Sequence, residues 1–323
     1  MKRAVVGFDT SNYRTSVAAV GEDGELLLNF RELLEVPAGA RGLRQSEAVF
    51  AHLRGLQRAQ DAMRDALRGR QIAAVAASDR PRDPEDSYMP VFVAGTQTAG
   101  ALAAALDVPL IRTTHQRGHL AAAAWHTPLE ETDSLLALHL SGGTTDLLRL
   151  TGEGLEQIGG SLDLHAGQLV DRAGVAMGLS FPAGPELEAL AERGKAEGRL
   201  GCSMEGRDLL CHFSGAESQI QRLIAGHCVS RENLAREVYD LLARTICRML
   251  TAGAKATGEK RALVTGGVAS SPLFRTLLTE RLKKVRGAPE AVFGAPEMSG
   301  DNAVGVALIG LRSLRASERG DRG

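Results

Sequence analysis

Hydrophobic and polar positions recur along this chain in blocks that predict two α/β halves. The apolar runs Ala4–Phe8, Thr15–Val20 and Glu25–Arg31 are separated by the polar turn Asp9–Arg14 and the turn Gly21–Gly24, a pattern that reads as a β meander. Beyond it, Val49, Leu53, Leu56, Met63 and Leu67 repeat at helical spacing and predict a helix over Ser46–Leu67 with Ser46 as its N-cap. Ile72–Ala77 reads as a buried strand and the charged, proline-rich Asp79–Pro90 as a loop. The uncharged Met89–Leu106 reads as a strand and a small-residue helix that lead to a strand over Val108–Arg112.

The plan then repeats. Ser134–Leu140, a glycine turn and Asp146–Leu150 form a second meander with Leu155–Ile158. Helical stretches follow, notably Asn233–Leu250, with Leu234, Val238, Leu241, Leu242, Thr245 and Met249 on one face. The strand Ala262–Val264 runs into Gly266-Gly267, and a helix opens near Pro272. An unusually apolar helix over Asn302–Leu314 is expected to pack between layers, and the tail after Ser317 to fray. The expected division is an N-terminal lobe over 1–130, a C-terminal lobe over 131–300, a helix over 301–316 packing back toward the first lobe, and a tail over 317–323.

Composition narrows the function classes. The 323 residues are 44% hydrophobic and 24% charged, which suits a large folded core. With 38 Lys+Arg against 39 Asp+Glu the net charge is −1, so no whole-molecule field draws in a phosphate backbone. Contact with tRNA would need a local basic face or a partner protein. Cys202, Cys211, Cys228 and Cys247 lie far apart with no CxxC pair, which excludes a zinc ribbon and fits reduced thiols in a cytoplasm. No signal segment or membrane span is expected.

Two features carry candidate chemistry. Polar or glycine-rich turns at Asp9–Arg14 and Ser141-Gly142-Gly143-Thr144-Thr145, plus a strand ending in Gly266-Gly267 before a helix, supply the backbone N–H groups and close approach that a nucleotide needs. Neither G-x-x-x-x-G-K-[ST] nor G-x-G-x-x-G occurs, which disfavours a P-loop or Rossmann site. Each glycine pair alone also fits an ordinary turn. His115 and His119 stand at i, i+4, on one helical face, where both could bind one metal given a third ligand. The pair alone also fits a structural or surface role. The motif lacks the glutamate of a zinc peptidase and so has no general base for that reaction.

These segments resemble, in order, the motifs of the TsaD family of threonylcarbamoyl-adenosine transferases, once filed as O-sialoglycoprotein endopeptidases. Gly7-Phe8-Asp9-Thr10-Ser11 is similar to the family's G-I-E-T-S, His115–His119 to H-x-E-G-H, and Ser141–Thr145 to S-G-G-H-T. Asp163–Arg172 is similar to D-D-A-A-G-E-A-F-D-K, Pro182–Pro185 to P-G-G-P, and Phe213-Ser214-Gly215 to F-S-G. Gly266–Ala269 is similar to the adenosine loop and Gly300-Asp301-Asn302 to T-D-N. The likeness runs from Val5 to about Arg312. It implies an α/β, two-lobed actin-like ATPase (ASKHA) fold, that of actin, sugar kinases and Hsp70, with duplicated ribonuclease-H-like halves and a nucleotide and metal cleft between them.

The resemblance also implies the site. His115, His119 and Asp301 would hold one divalent metal ion, iron, zinc or magnesium. Asp171 would hold the ribose and Gly184 would pack by the nucleotide. Gly266 and Gly267 would abut the adenine of ATP or an acyl-adenylate, with Ser141, Gly142, Gly143 and Ser271 nearby. The chain also departs from the family. Asn12-Tyr13-Arg14-Thr15 replaces C-D-E-T, Arg117 replaces a glutamate, Leu164 an aspartate, Gln168 a glutamate and Ser271 an asparagine, and the 79–90 loop replaces G-P-G-L. Arg14 and Arg117 would meet an anionic substrate, and with Asp9 they complete the expected catalytic set.

The expected function is a metal-dependent carbamoyl or acyl transferase with a nucleotide-activated donor and tRNA adenosine as default acceptor, diverged from the housekeeping enzyme. The alternatives are a non-catalytic nucleotide-binding partner subunit, or an ATPase or kinase of the same fold with Asp9 or Asp146 as base. Expected partners are an adenine nucleotide, tRNA, and a second copy or paralogous subunit in a dimer.

Overall fold

A computed structural model of the chain describes residues 2–11, 13–36, 43–84, 86–132, 134–152 and 154–320. Asn12, one of the departures from the family pattern, and the tail residues 321–323 lie outside the described residues. The chain forms two compact units, Met1–Trp125 together with Gly300–Gly323, and His126–Ser299.

In the first unit, β1 (Lys2–Ser11), β2 (Arg14–Gly21) and β3 (Leu26–Leu33) form the meander. The helix α1 (Gln45–Ala66), β4 (Arg70–Arg80), α2 (Phe92–Leu106), β5 (Leu110–Thr114) and α3 (His115–Ala124) follow. The sheet order is β3-β2-β1-β4-β5. β1 pairs antiparallel with β2 and parallel with β4, and β4 pairs parallel with β5. Residues Ala4 to Ser11 are buried without alternation, as a strand covered on both faces requires.

The second unit repeats this order. β6 (Leu135–Leu140), β7 (Thr145–Thr151) and β8 (Gly154–Ser161) form its meander. Then come α4 (Ala166–Ala176), α5 (Gly184–Ala191), the short strands β9 (Ser203–Glu205) and β10 (Leu210–His212), α6 (Ser214–Ala225) and the long α7 (Arg231–Thr257). The unit closes with β11 (Arg261–Thr265), α8 (Pro272–Leu282) and β12 (Glu290–Phe293). Its sheet runs β12-β11-β6-β7-β8-β10-β9, the first unit's order read from the other end and extended by one hairpin. α7 lies against this sheet, with Leu242 and Ile246 in one buried cluster with Leu136, Leu138 and Leu147. Apolar burial of this kind contributes about 25 cal/mol per Å².

The last helix, α9 (Val304–Gly320), returns to the first unit and packs on β1, β4 and α3. Its approach to α3 is very close. A Cβ at Gly305 would stand 1.8 Å from the Gly118 carbonyl oxygen and 2.7 Å from the Ala122 nitrogen, so only glycine fits.

Several sequence expectations are corrected. Ser46 does not cap α1. Arg44 is the N-cap, and its backbone N–H is bonded at 3.1 Å by Glu47 Oε2, which reaches back from the first turn. Met89–Val91 is not a strand, because Val91 already serves as the N-cap of α2. The C-terminal helix does not fray at Ser317 but continues to Gly320, where the Arg3–Glu318 ion pair ties it to β1. Among the described residues no helix is long and apolar enough to cross a membrane.

Candidate functional site

The first unit places three of the predicted residues together. Thr114 ends β5 and caps α3 by accepting from the Arg117 backbone N–H, so α3 starts at His115 and carries His115 and His119 on one face. Asp301 precedes α9, whose close contact with α3 brings the carboxylate to the pair. His119 Nε2 lies 2.9 Å from His115 Nε2 and 3.1 Å from Asp301 Oδ1, and His115 Nε2 lies 3.6 Å from the same oxygen. All three donor atoms fall within 4.8 Å of one another. Ligands held at about 2.1 Å around a tetrahedral ion stand about 3.4 Å apart, so the set fits a divalent metal.

Asp9 sits behind His115. It is fully buried, and both its oxygens lie 3.1 Å from His115 Nδ1. Ser11 donates to it at 2.7 Å and Ser78 donates from β4. The carboxylate fixes the proton on Nδ1 and turns the Nε2 lone pair toward the cluster. Burial pushes the Asp9 carboxyl up, but the His115 charge and the hydrogen bonds outweigh it and hold it below the usual range. Burial likewise presses the His115 imidazole down, and Asp9 and Asp301 raise it above its ordinary value. For Asp301, burial is outweighed by the His119 hydrogen bond and the charges of His115, His119 and Arg14, which bring it to about 2.

The two arginines part company. Arg14 opens β2 and lies close enough to act on Asp301. Arg117 is not turned to the cluster as a free cation. Its Nε lies 2.9 and 3.0 Å from the two Asp83 oxygens and its Nη2 also bonds Asp83, while Thr114 Oγ1 donates to Asp83 at 3.1 Å. Asp83, in the segment after β4, thus neutralises Arg117, so Arg117 is not the unpaired cation that the sequence reading expected.

In the second unit a cleft of about 380 Å³, within the usual size of a small-molecule site, is lined by Gly142, Asp171, Gly184, Gly267 and Ser271. Asp171 accepts from the Ala183 N–H at 2.9 Å through one oxygen. Ser271 caps α8 and donates to Glu188 Oε1 at 2.7 Å. Ser141, Gly143 and Gly266 do not line the cleft, although each is the chain neighbour of a residue that does. Ser141 accepts from Gly167 N–H at 3.1 Å and its hydroxyl accepts from Gly143 N–H at 3.3 Å. Gly266 has φ +103°, and a Cβ there would stand 2.2 Å from the Leu140 carbonyl oxygen.

Sequence reasoning missed four residues. Ser78 and Asp83 follow or end β4 and carry no spacing signal, because their partners are 69 and 34 residues away. Glu188 and Tyr239 line the cleft from α5 and α7. Tyr239 donates to the Gly184 carbonyl at 3.2 Å, and burial pushes its phenol up, so it stays a donor.

A family model described as tRNA N6-adenosine threonylcarbamoyltransferase, TsaD, matches residues 56–307. The chain belongs to the TsaD family. This TsaD-family chain is similar in fold to HypF from T. kodakarensis, with TM-score 0.63 and 17% identity over 98% of the chain, and spans about half of that protein, 48%. It is also similar to the activator of the 2-hydroxyisocaproyl-CoA dehydratase from Clostridium difficile with bound ADPNP, with TM-score 0.52 and 13% identity over 98% of this chain and 97% of that one. A third likeness is to a ROK family glucokinase from Streptomyces griseus in complex with glucose and AMPPNP, with TM-score 0.54 and 14% identity over 96% of this chain and 99% of that one. These likenesses show the α/β actin-like ATPase fold for the TsaD-family chain.

Proposed function

We propose that the protein is a metal-dependent transferase that moves a carbamoyl or related acyl group from an adenylate donor to an amine, with N6 of tRNA adenosine as the acceptor. The reading rests on one observation, the convergence of His115, His119 and Asp301 with Asp9 fixing the tautomer behind them. Two imidazoles and a carboxylate favour iron or zinc over magnesium. Such an ion, when bound, supplies Lewis acidity to a carbonyl or phosphoryl oxygen.

The chain's own residues divide the remaining work. Asp9 touches His115 and no solvent, so it positions a ligand and is not the base. Arg14, beside Asp301, offers a cation to the anionic end of the donor. The cleft of Asp171, Gly184 and Gly267 takes the nucleotide, a reading supported by the nucleotides bound in two of the similar structures. In the transfer the amine nitrogen forms a C–N bond to the acyl carbon, the C–O bond to the AMP phosphate breaks, AMP leaves, and the amine loses one proton.

The test is incubation of the metal-loaded protein with threonylcarbamoyl-adenylate and unmodified tRNA, followed by mass spectrometry of the nucleosides. Modified adenosine that disappears with a chelator supports the reading. A metal-loaded protein that binds the adenylate and transfers nothing to tRNA or any small amine contradicts it.

A further inference from the structure

We propose that α7 and α8 of the second unit frame a second ligand site, which takes the phosphate of a small phosphomonoester on Arg244, Arg248, Arg281 and Lys284. These residues line a cavity of about 320 Å³ together with Leu241, Thr245 and Val285, and it shares no lining residue with the nucleotide cleft. Leu241, Arg244, Thr245 and Arg248 recur at three- and four-residue spacing, so α7 presents them on one face. Arg281 comes from the last turn of α8 and Lys284 from just beyond it.

The three arginines are held in place before any ligand arrives. Asp240, largely buried, binds Arg244 Nε at 2.8 Å through one oxygen and Arg281 Nη2 through the other. Arg244 Nη2 also donates to the Leu200 carbonyl at 2.8 Å, and Arg248 pairs with Asp208 at 2.7 Å. Four cations against these two carboxylates leave an excess of +2. A phosphomonoester carries about −1.5 to −2 near neutral pH, which matches it.

Among the described residues two side-chain donors have no partner: Arg281 Nε, which is buried, and the ammonium of Lys284, which is exposed. A buried guanidinium N–H without an acceptor carries a desolvation cost that an anion's oxygen removes. Basic residues at a helix C-terminus can simply answer the helix dipole. That accounts for Arg281 and Lys284 at the end of α8, but not for Arg244 and Arg248 in the middle of α7. Val285, 41% exposed, gives a small apolar body a surface to cover.

The experiment is a calorimetric titration of the full chain with phenyl phosphate, using succinate and a single-stranded oligonucleotide as comparison ligands. Lys284→Glu and Arg248→Glu alter exposed side chains and leave the Asp240 clamp intact. Saturable phenyl phosphate binding is expected in the parent and in Asp171→Ala, weakened about tenfold or more by each charge reversal. Cys202, in the cavity wall, should be shielded from maleimide by phenyl phosphate in the parent and in Asp171→Ala but not in the two charge reversals, read by peptide mass spectrometry. Absence of saturable binding, equal binding by Lys284→Glu, or displacement by succinate or the oligonucleotide at lower concentration than phenyl phosphate would overturn the proposal.

Discussion

Asp9 and His115, 106 positions apart in the chain, meet with both carboxylate oxygens 3.1 Å from Nδ1. β1 and β5 flank β4, so this contact crosses the first unit's sheet and links the opening meander to the start of α3. It makes the cluster a prepared ligand set, because the tautomer of one histidine is chosen before a metal arrives.

Asp9→Asn keeps the volume but offers His115 an amide that can donate as well as accept. Metal affinity should fall about 10- to 100-fold, the usual effect of losing such a partner. Competition with a chromogenic chelator measures it, and unchanged affinity would make the contact incidental.

The same pair sets the pH response. His115 is raised, so in the metal-free chain its contribution is complete below about 6.5 and is lost as pH rises through its higher folded value. Asp9 is lowered, so its contribution is present above its ordinary value and is lost as pH falls through the folded one. Metal binding needs Nε2 of His115 unprotonated, so the metal's stabilisation should grow as pH rises through the raised His115 value, where the metal-free chain weakens. Thermal denaturation from pH 4 to 9, with zinc or with chelator, should give curves that diverge upward in pH. Parallel curves would count against His115 as a ligand.

Gly305→Ala puts a methyl group against the α3 backbone. Overpacking of this kind costs about 1–3 kcal/mol or more. Because α9 follows Asp301 directly, a lower melting temperature and a lower metal content should appear together. A destabilised variant with full metal content would show that Asp301 is placed independently of the helix contact.

Asp171 spends one oxygen on the Ala183 N–H. Removing it in Asp171→Ala should weaken ATP binding about tenfold, equivalent to about 1.4 kcal/mol. Calorimetry decides, and equal affinity would take Asp171 out of the site.

Most of the fold was legible because both meanders and the helices α1 and α7 carry strong periodic signals, while α2 showed only as an uncharged stretch rich in small residues. β9, β10 and β12, three or four residues each, are too short to show a period, and they form only as extensions of an existing sheet. The His115–His119 pair was legible from spacing. Asp301 was named from the family resemblance, since nothing local joins residue 301 to residue 119. What the sequence concealed was compensation. Arg117 reads as a cation at the reacting centre, yet Asp83 from the remodelled loop takes it up. Asp9 reads as the start of a polar turn and a catalytic acid, yet it lies within β1 and is sealed behind a histidine. Both depend on pairs that only the sheet brings together.

The most direct measurement is metal content by mass spectrometry after loading with Fe(II) or Zn(II) and desalting. One ion per chain is expected in the parent, and a tenth of that or less in Asp301→Ala and His119→Ala with native circular dichroism. A parent that retains no ion, or folded variants that retain as much as the parent, would contradict the metal centre at His115, His119 and Asp301.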